Sequence, residues 1–236
     1  WGLSMVLGVL ILAAGQGTRM RSALPKVLHP LAGKPLVGHV LDTAAHLQPD
    51  TTLVVYGHGG DKVRETFGEH DLEWVEQADQ LGTGHAVQQA IPVLQRVDKV
   101  LVLYGDVPLI RLQTLRRLLD ESADTPIGVL TAILDDPTGY GRMVRDPEGR
   151  ILRVVEQKDA SEAEVEIEEI NTGIMIFDRA QLTDWLQRID NSNIQGEYYL
   201  TDVIGFAVAD GFEVATTQPD HEAAVPGVKD RVQPAR

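Results

Sequence analysis

The run from Val6 to Leu12 contains no polar side chain. A strand without polar alternation has no face to give to water, so it belongs inside a sheet covered by helices on both sides, as parallel sheets are. The run ends in Ala13, Ala14, Gly15 and Gly17, residues small enough for backbone to approach a ligand closely. Arg19, Arg21 and Lys26 follow. A chain reversal with unpaired N–H groups and cations just beyond it suits a triphosphate. Two other phosphate loops do not match. Met20 stands where a dinucleotide fingerprint needs its third glycine, and no Gly-Lys-Ser/Thr follows to make a Walker A loop.

The pattern repeats along the chain. Leu36, Val37, Val40, Leu41, Ala44, Ala45 and Leu47 recur at helical spacing behind Pro35, which suits a first turn. Thr52 to Tyr56 is a β-branched run closed by Gly57, Gly59 and Gly60, completing a strand–helix–strand unit. A helix is expected over 61–67 and a short strand over 72–75. A polar loop over 77–84 leads into a helix carrying Ala86, Val87, Ala90, Ile91 and Leu94, which Pro92 complicates. Val100 to Tyr104 reads as the clearest buried strand, followed at once by Gly105 and Asp106. The second half is expected to hold strands over 127–134, 150–155 and 171–177 with fewer helices between them. Helices follow over 178–189 and 199–210, then a late strand over 212–216. The fold class expected is α/β, a Rossmann-like nucleotide-binding domain with a mostly parallel, mixed sheet flanked by helices. Ser161 to Glu169 is crowded with glutamate and reads as a solvated acidic face rather than a metal site.

Composition narrows the partners. At 236 residues and 43% hydrophobic content, one large domain is the simplest division, with Trp1 to Ser4 read as an artificial remnant ahead of Met5. A formal charge of -14 argues against nucleic acid or an anionic membrane as partner. An acidic protein that takes an anionic nucleotide must concentrate its cations locally. Without cysteine there are no disulfides, zinc thiolates or thiol nucleophiles. No apolar stretch approaches the roughly 20 residues of a membrane span, and no basic lead marks a secretory signal, so a cytoplasmic location is expected.

Chemistry concentrates on few residues. Asp106 directly follows a buried strand, where ligands of open α/β sheets sit. A hard cation such as Mg²⁺ needs only one or two carboxylates plus substrate phosphate, although a turn or capping aspartate would look the same. Lys26 follows the stiff Pro25 and is either a surface lysine or a cation at fixed distance from the phosphate loop. Nucleotidyl transfer is mostly positioning and charge stabilisation, which Arg19 and Lys26 could supply. His58 and His85 read as structural rather than catalytic. Gln77, Gln80, Gly82 and Thr83 offer amides beside a flexible backbone, able to read a base edge.

The string LAAGQGTRMRSALPKVLHPLAGKPL resembles the signature of sugar-1-phosphate nucleotidyltransferases. In detail it is similar to the N-terminal uridylyltransferase domain of the bacterial bifunctional N-acetylglucosamine-1-phosphate uridylyltransferase/glucosamine-1-phosphate N-acetyltransferases. The likeness continues through VVYGHGGDKV, QADQLGTGHAVQQA, VLYGDVPLI, DDPTGYGRMVRD, VEQKDAS, EINTGIMIF and NIQGEYYLTDVI. The resemblance implies Mg²⁺-assisted transfer of uridylyl from UTP to N-acetylglucosamine 1-phosphate. The products are UDP-N-acetylglucosamine, a precursor for peptidoglycan and cell-wall synthesis, and pyrophosphate. It implies nucleotide contacts at Leu12, Ala13, Ala14, Gly15, Lys26, Gln77, Gly82 and Thr83, with Gln80 assisting. The sugar side falls to Tyr104, Gly105, Gly141, Glu156 and Asn171, with Glu197, Tyr199 and Thr201 as weaker candidates. Arg19, Lys26 and Asp106 would be the catalytic set, with Asp106 holding the metal.

The match breaks near the C-terminus. A family asparagine that helps bind Mg²⁺ is replaced in Gly227-Val228-Lys229-Asp230-Arg231, and a charged lysine has no lone pair for a metal. Asp230 could take over as a second metal ligand, Lys229 could contact phosphate, or the site could be impaired. The alternatives are therefore a nucleotidyltransferase for another sugar or base, or a silent nucleotide-sugar-binding domain. The hexapeptide repeats of the acetyltransferase half are absent from these residues, so neither acetylation nor that half's trimer contacts are expected.

Overall fold

The protein is described from a computed structural model, in which residues 5–15, 24–57 and 59–220 are placed. The apolar opening run forms strand β1 (Leu7–Ala13), buried at every position. After a 3-10 turn (Lys26–Leu28), a small hairpin joins β2 (Pro30–Leu31) to β3 (Lys34–Pro35) and leads straight into helix α1 (Leu36–Ala45). Then come β4 (Thr51–Gly57), α2 (Asp61–Phe67), β5 (Glu73–Gln77), α3 (Thr83–Ala90) and β6 (Lys99–Tyr104). The second half runs α4 (Leu112–Glu121), β7 (Ile127–Ile133), β8 (Arg142–Arg145), β9 (Ile151–Val155), α5 (Glu162–Val165) and β10 (Glu169–Asp178). It closes with α6 (Arg179–Leu186), α7 (Asp202–Ala209) and β11 (Ala215–Thr217).

The main sheet has the order β11-β7-β10-β6-β1-β4-β5, with β8 and β9 attached beside β10. Strands β5, β4, β1 and β6 are mutually parallel, whereas β10 runs antiparallel between β6 and β7. This is the mixed, mostly parallel α/β sheet expected. Along β1 the side chains alternate between two cores. Leu10 and Leu12 pack on one face with Val87 of α3, Trp185 of α6 and Ile204 of α7. Val9 and Ile11 pack on the other with Val40 of α1, Val63 of α2 and Leu115 of α4. Both faces are covered, which is why the strand carries no polar residue.

Several boundaries differ from expectation. The helix over 178–189 stops at Leu186, and the one over 199–210 begins only at Asp202, leaving Tyr199 and Thr201 in the turn ahead of it. α3 ends at Ala90, two residues before Pro92. Ile91 keeps helical backbone and still donates to the Val87 carbonyl at 3.0 Å, but Pro92 has no N–H to continue the ladder. The unexpected helix α4 buries Leu115 and Leu118 on one face. Strand β8 was hidden by its arginines. Arg142 is 1% exposed and donates to the Tyr140 carbonyl, to Gln157 Oε1 at 2.8 Å and to the Val165 carbonyl at 3.3 Å. The glutamate-rich stretch is only partly a solvated face: Ser161 and Glu164 form a capping box for α5, and Glu169 pairs with Arg145 at 2.7 Å. Leu10 is fully buried beneath three helices, so Leu10→Ala should cost about 3–5 kcal/mol of unfolding free energy by urea denaturation. A loss below 1 kcal/mol would mean that this core does not hold the sheet.

Candidate nucleotide and sugar-phosphate site

The four parallel strands deliver their carboxyl ends to one place. β1 pairs with β6 so that Leu12 lies opposite Tyr104, and β4 pairs with β5 so that Gly57 lies opposite Gln77. A cavity of about 420 Å³ opens there, lined by Leu12, Ala13, Ala14 and Gly15 from the end of β1 and by Tyr104 and Asp106 beyond β6. Gln77, Gln80, Gly82 and Thr83 close one side, and Lys26 another. The volume lies within the roughly 300–1,000 Å³ range of small-molecule sites. Val27, Ala86 and Glu197 also line it. Val27 and Ala86 carried no sequence signal because apolar lining looks like core.

One ion pair crosses the cavity. Lys26 Nζ lies 2.7 Å from Asp106 Oδ2, joining residues 80 positions apart. Both side chains remain partly exposed, at 21% and 28%. A pair so exposed contributes at most about 1 kcal/mol and separates readily when a stronger partner arrives. At the opposite end, Gln77 Nε2 donates to the Gly82 carbonyl at 3.0 Å. Gln80 Nε2 donates to the Ala14 carbonyl, tying this loop to the small-residue bend.

The residues proposed for the sugar form a connected series leading away from Tyr104. Gly173 has φ +89°, and a Cβ there would stand 2.6 Å from Tyr104 Cε2, so only glycine lets the ring lie where it does. Its N–H donates to Asn171 Oδ1 at 3.0 Å, and the Asn171 N–H donates to the Gly141 carbonyl at 2.9 Å. A Cβ on Gly141 would be 3.1 Å from Glu156 Oε1, the oxygen that accepts from Thr201 Oγ1 at 3.0 Å. Gly105 is not part of the lining. A Cβ on it would stand 3.1 Å from Val27 Cγ1 and 3.4 Å from Ala13 Cβ, two residues that do line the cavity.

This region is electrostatically acidic. Burial pushes the Glu156 carboxyl upward against the Thr201 hydrogen bond, and Asp159 and Glu197 add to the rise. Burial, then Glu156 and Asp106, raise the Tyr104 phenol, which stays a hydrogen-bond donor at neutral pH. A neighbouring hollow of about 450 Å³ is lined by Glu156, Asp159, Tyr199, Thr201 and Asp202 among others. There burial and the charges of Asp190, Glu156 and Asp159 push Asp202 up to about 6 from 3.8. Among the described residues no three His, Cys, Asp or Glu side chains cluster as a metal site. A hard cation at Asp106 would have to draw most of its oxygen ligands from phosphate and water. Arg19, Arg21, His58, Lys229 and Asp230 lie outside the described residues. Also among those residues, no helix is long and apolar enough to cross a membrane.

A mixed, mostly parallel sheet whose strand ends bring together the small residues Ala13 to Gly15, a lysine–aspartate pair and a carboxamide-bearing loop defines a nucleotidyltransferase. Residues 9–160 match the model of the MobA-like NTP transferase domain, and the chain belongs to that family. Its curated relatives include proteins named "Bifunctional protein GlmU". That of Pseudomonas aeruginosa is 58% identical over 98% of this chain and 51% of its own length. That of Burkholderia orbicola is 57% identical over 96% and 50%, and that of Acinetobacter baumannii 56% over 95% and 49%. The chain thus spans about half the length of the curated relatives it matches. A solved structure, UDP-glucose pyrophosphorylase complexed with UDP-glucose, shares the fold with TM-score 0.74 over 91% of each chain at 16% identity.

The Asp202 shift has a sign that can be checked. Its folded value of about 6 exceeds the ordinary 3.8, so its contribution to stability is fully present below pH 3.8 and lost as pH rises through 6. Asp202→Asn should therefore raise Tm relative to wild type at pH 8 and give no gain at pH 3.5. A variant less stable than wild type at pH 8 would contradict the assignment.

Proposed function

We propose that the chain transfers uridylyl from UTP to N-acetyl-α-D-glucosamine 1-phosphate, giving UDP-N-acetylglucosamine, a cell-wall precursor, and pyrophosphate. The observation that carries the reading is the placement of Lys26 and Asp106 across a cavity with carboxamides at one end and the Tyr104–Asn171–Glu156 series leading from the other. Relatives more than half identical over nearly all of this chain support it, as does the family they share.

In this reading the uracil lies toward Gln77 and Gly82, and the polyphosphate lies along Ala13 to Gly15. The bend's small side chains let the phosphates approach the backbone closely. Lys26 releases Asp106 and neutralises charge as it builds on the α-phosphorus and the departing pyrophosphate. Asp106 would hold Mg²⁺, with Asp230 as its second ligand; when bound, the cation neutralises phosphate charge and helps align it. The sugar phosphate attacks the α-phosphorus in line. Its oxygen is already anionic, so no general base is needed. Glu156, Asn171 and the Tyr104 hydroxyl present acceptors and a donor to the sugar's hydroxyl and acetamido groups.

The test is to mix the chain with UTP, N-acetylglucosamine 1-phosphate and MgCl₂, following pyrophosphate release and identifying the nucleotide sugar by mass. Formation of UDP-N-acetylglucosamine is expected, with dTTP and other sugar 1-phosphates poorer. Asp106→Asn should lower kcat by about 100-fold or more. No product, or unchanged turnover in the variant, would overturn the reading.

A further inference from the structure

We propose that His85 is a positioning residue that fixes which atom of the Gln77 carboxamide faces the base, and so sets the preference for uracil over cytosine. The inference rests on the nucleotide lying in this cavity. His85 belongs to α3, is half-buried and does not line the cavity itself.

Gln77 is only 3% exposed, yet it lines the cavity. Its Nε2 makes two contacts, 3.0 Å to the Gly82 carbonyl and 2.9 Å to His85 Nδ1. A carbonyl can only accept, so turning the amide over would set two oxygens against each other at Gly82. With Nε2 in place, both of its hydrogens are spent, one on each partner. His85 Nδ1 must then carry the lone pair, which places the ring hydrogen on Nε2. That nitrogen lies 3.3 Å from the side-chain amide of exposed Gln89, which can turn its oxygen to accept. The Tyr198 ring lies beside the imidazole at 6.5 Å between centroids, limiting its freedom to swing away.

Two acceptors thus clamp the amide nitrogen and leave Oε1 for the cavity. Among the described residues nothing donates to Oε1. An oxygen there suits uracil, whose N3 carries a hydrogen, and opposes cytosine, whose N3 carries a lone pair. Cytosine would be accommodated only if the amide turned over, and that turn loses both anchors. A site built on a fixed hydrogen-bonding direction discriminates far better than one built on shape, because the wrong partner leaves buried groups unpaired. Removing His85 takes away one of the two anchors and lowers the barrier to the turned amide. Thymine shares the N3–H of uracil, so preference between those two bases does not depend on His85.

The experiment is equilibrium titration of UTP, CTP and dTTP into wild type, His85→Ala and His85→Asn by calorimetry, with thermal melts on each. Wild type should prefer UTP over CTP. The alanine variant should lose about tenfold or more of that ratio while its UTP-to-dTTP ratio stays within about twofold. Asparagine can offer an acceptor oxygen near the position of Nδ1 and should restore most of the ratio. An unchanged UTP-to-CTP ratio in His85→Ala, equal loss in both variants, or no preference in wild type would overturn the proposal. Because binding is read without turnover, a chain that discriminates UTP from CTP but forms no nucleotide sugar would defeat the uridylyl-transfer reading and leave this one standing.

Discussion

Parallel pairing of β1 with β6 is the constraint on which the site depends. The register sets Leu12 opposite Tyr104, so Ala14 and Gly15 beyond β1 and the turn carrying Asp106 beyond β6 leave the sheet side by side. Neither segment could hold this position alone. Both strands are buried almost throughout between two helical layers, and a slip by one residue would turn each strand's side chains toward the wrong core. Hydrophobic burial therefore places polar groups that contribute little to stability themselves. The binding groups sit at the parallel strands' carboxyl ends, where backbone leaves the sheet and is free to bend around a ligand.

Within that frame Lys26 and Asp106 solve an electrostatic problem. The chain carries a formal charge of -14, and Glu156, Asp159 and Asp202 gather close to the cavity's sugar end. An anionic nucleotide would be repelled by such a surface unless positive charge stood where the phosphates go. In the proposed reading Lys26 supplies it, and in this structure Asp106 holds that charge in place. The bond is worth so little at this exposure that exchanging it for phosphate and a cation carries almost no penalty. Burial, with the acidic surroundings adding to it, raises both the Tyr104 phenol and the Glu156 carboxyl and keeps the phenol a hydrogen-bond donor.

Much of the parallel half was legible in the sequence because its strands are continuous apolar runs that end in glycine or acid. Val100 to Tyr104 followed by Asp106 is the clearest case, and Leu12 to Gly15 the next. Helix α4 also has a sequence signal, since Leu112, Leu115 and Leu118 repeat at helical spacing. Other features could not be read. Strand β8 begins with an arginine that sequence patterning places outside, yet Arg142 is buried, with carbonyls and Gln157 accepting from its two terminal nitrogens. In the turn ahead of α7, Thr201 donates to Glu156, a partner 45 positions away that no helical pattern reveals. Among candidate site residues, Asp106 was marked by its place directly after a buried strand and Gln77 by its polar loop, while Gly141, Glu156 and Asn171 came from the motif resemblance alone. The pairing of Lys26 with Asp106 and of His85 with Gln77 arises only when separate strands and helices meet.

The most direct measurement of the central claim is a crystal structure of the chain with UDP-N-acetylglucosamine and Mg²⁺. The account predicts uracil beside Gln77, the diphosphate along Ala13 to Gly15, the amino sugar toward Asn171 and Glu156, and Lys26 drawn away from Asp106 onto phosphate. A nucleotide sugar bound elsewhere, or one bound here with the Lys26–Asp106 pair still closed, would contradict it.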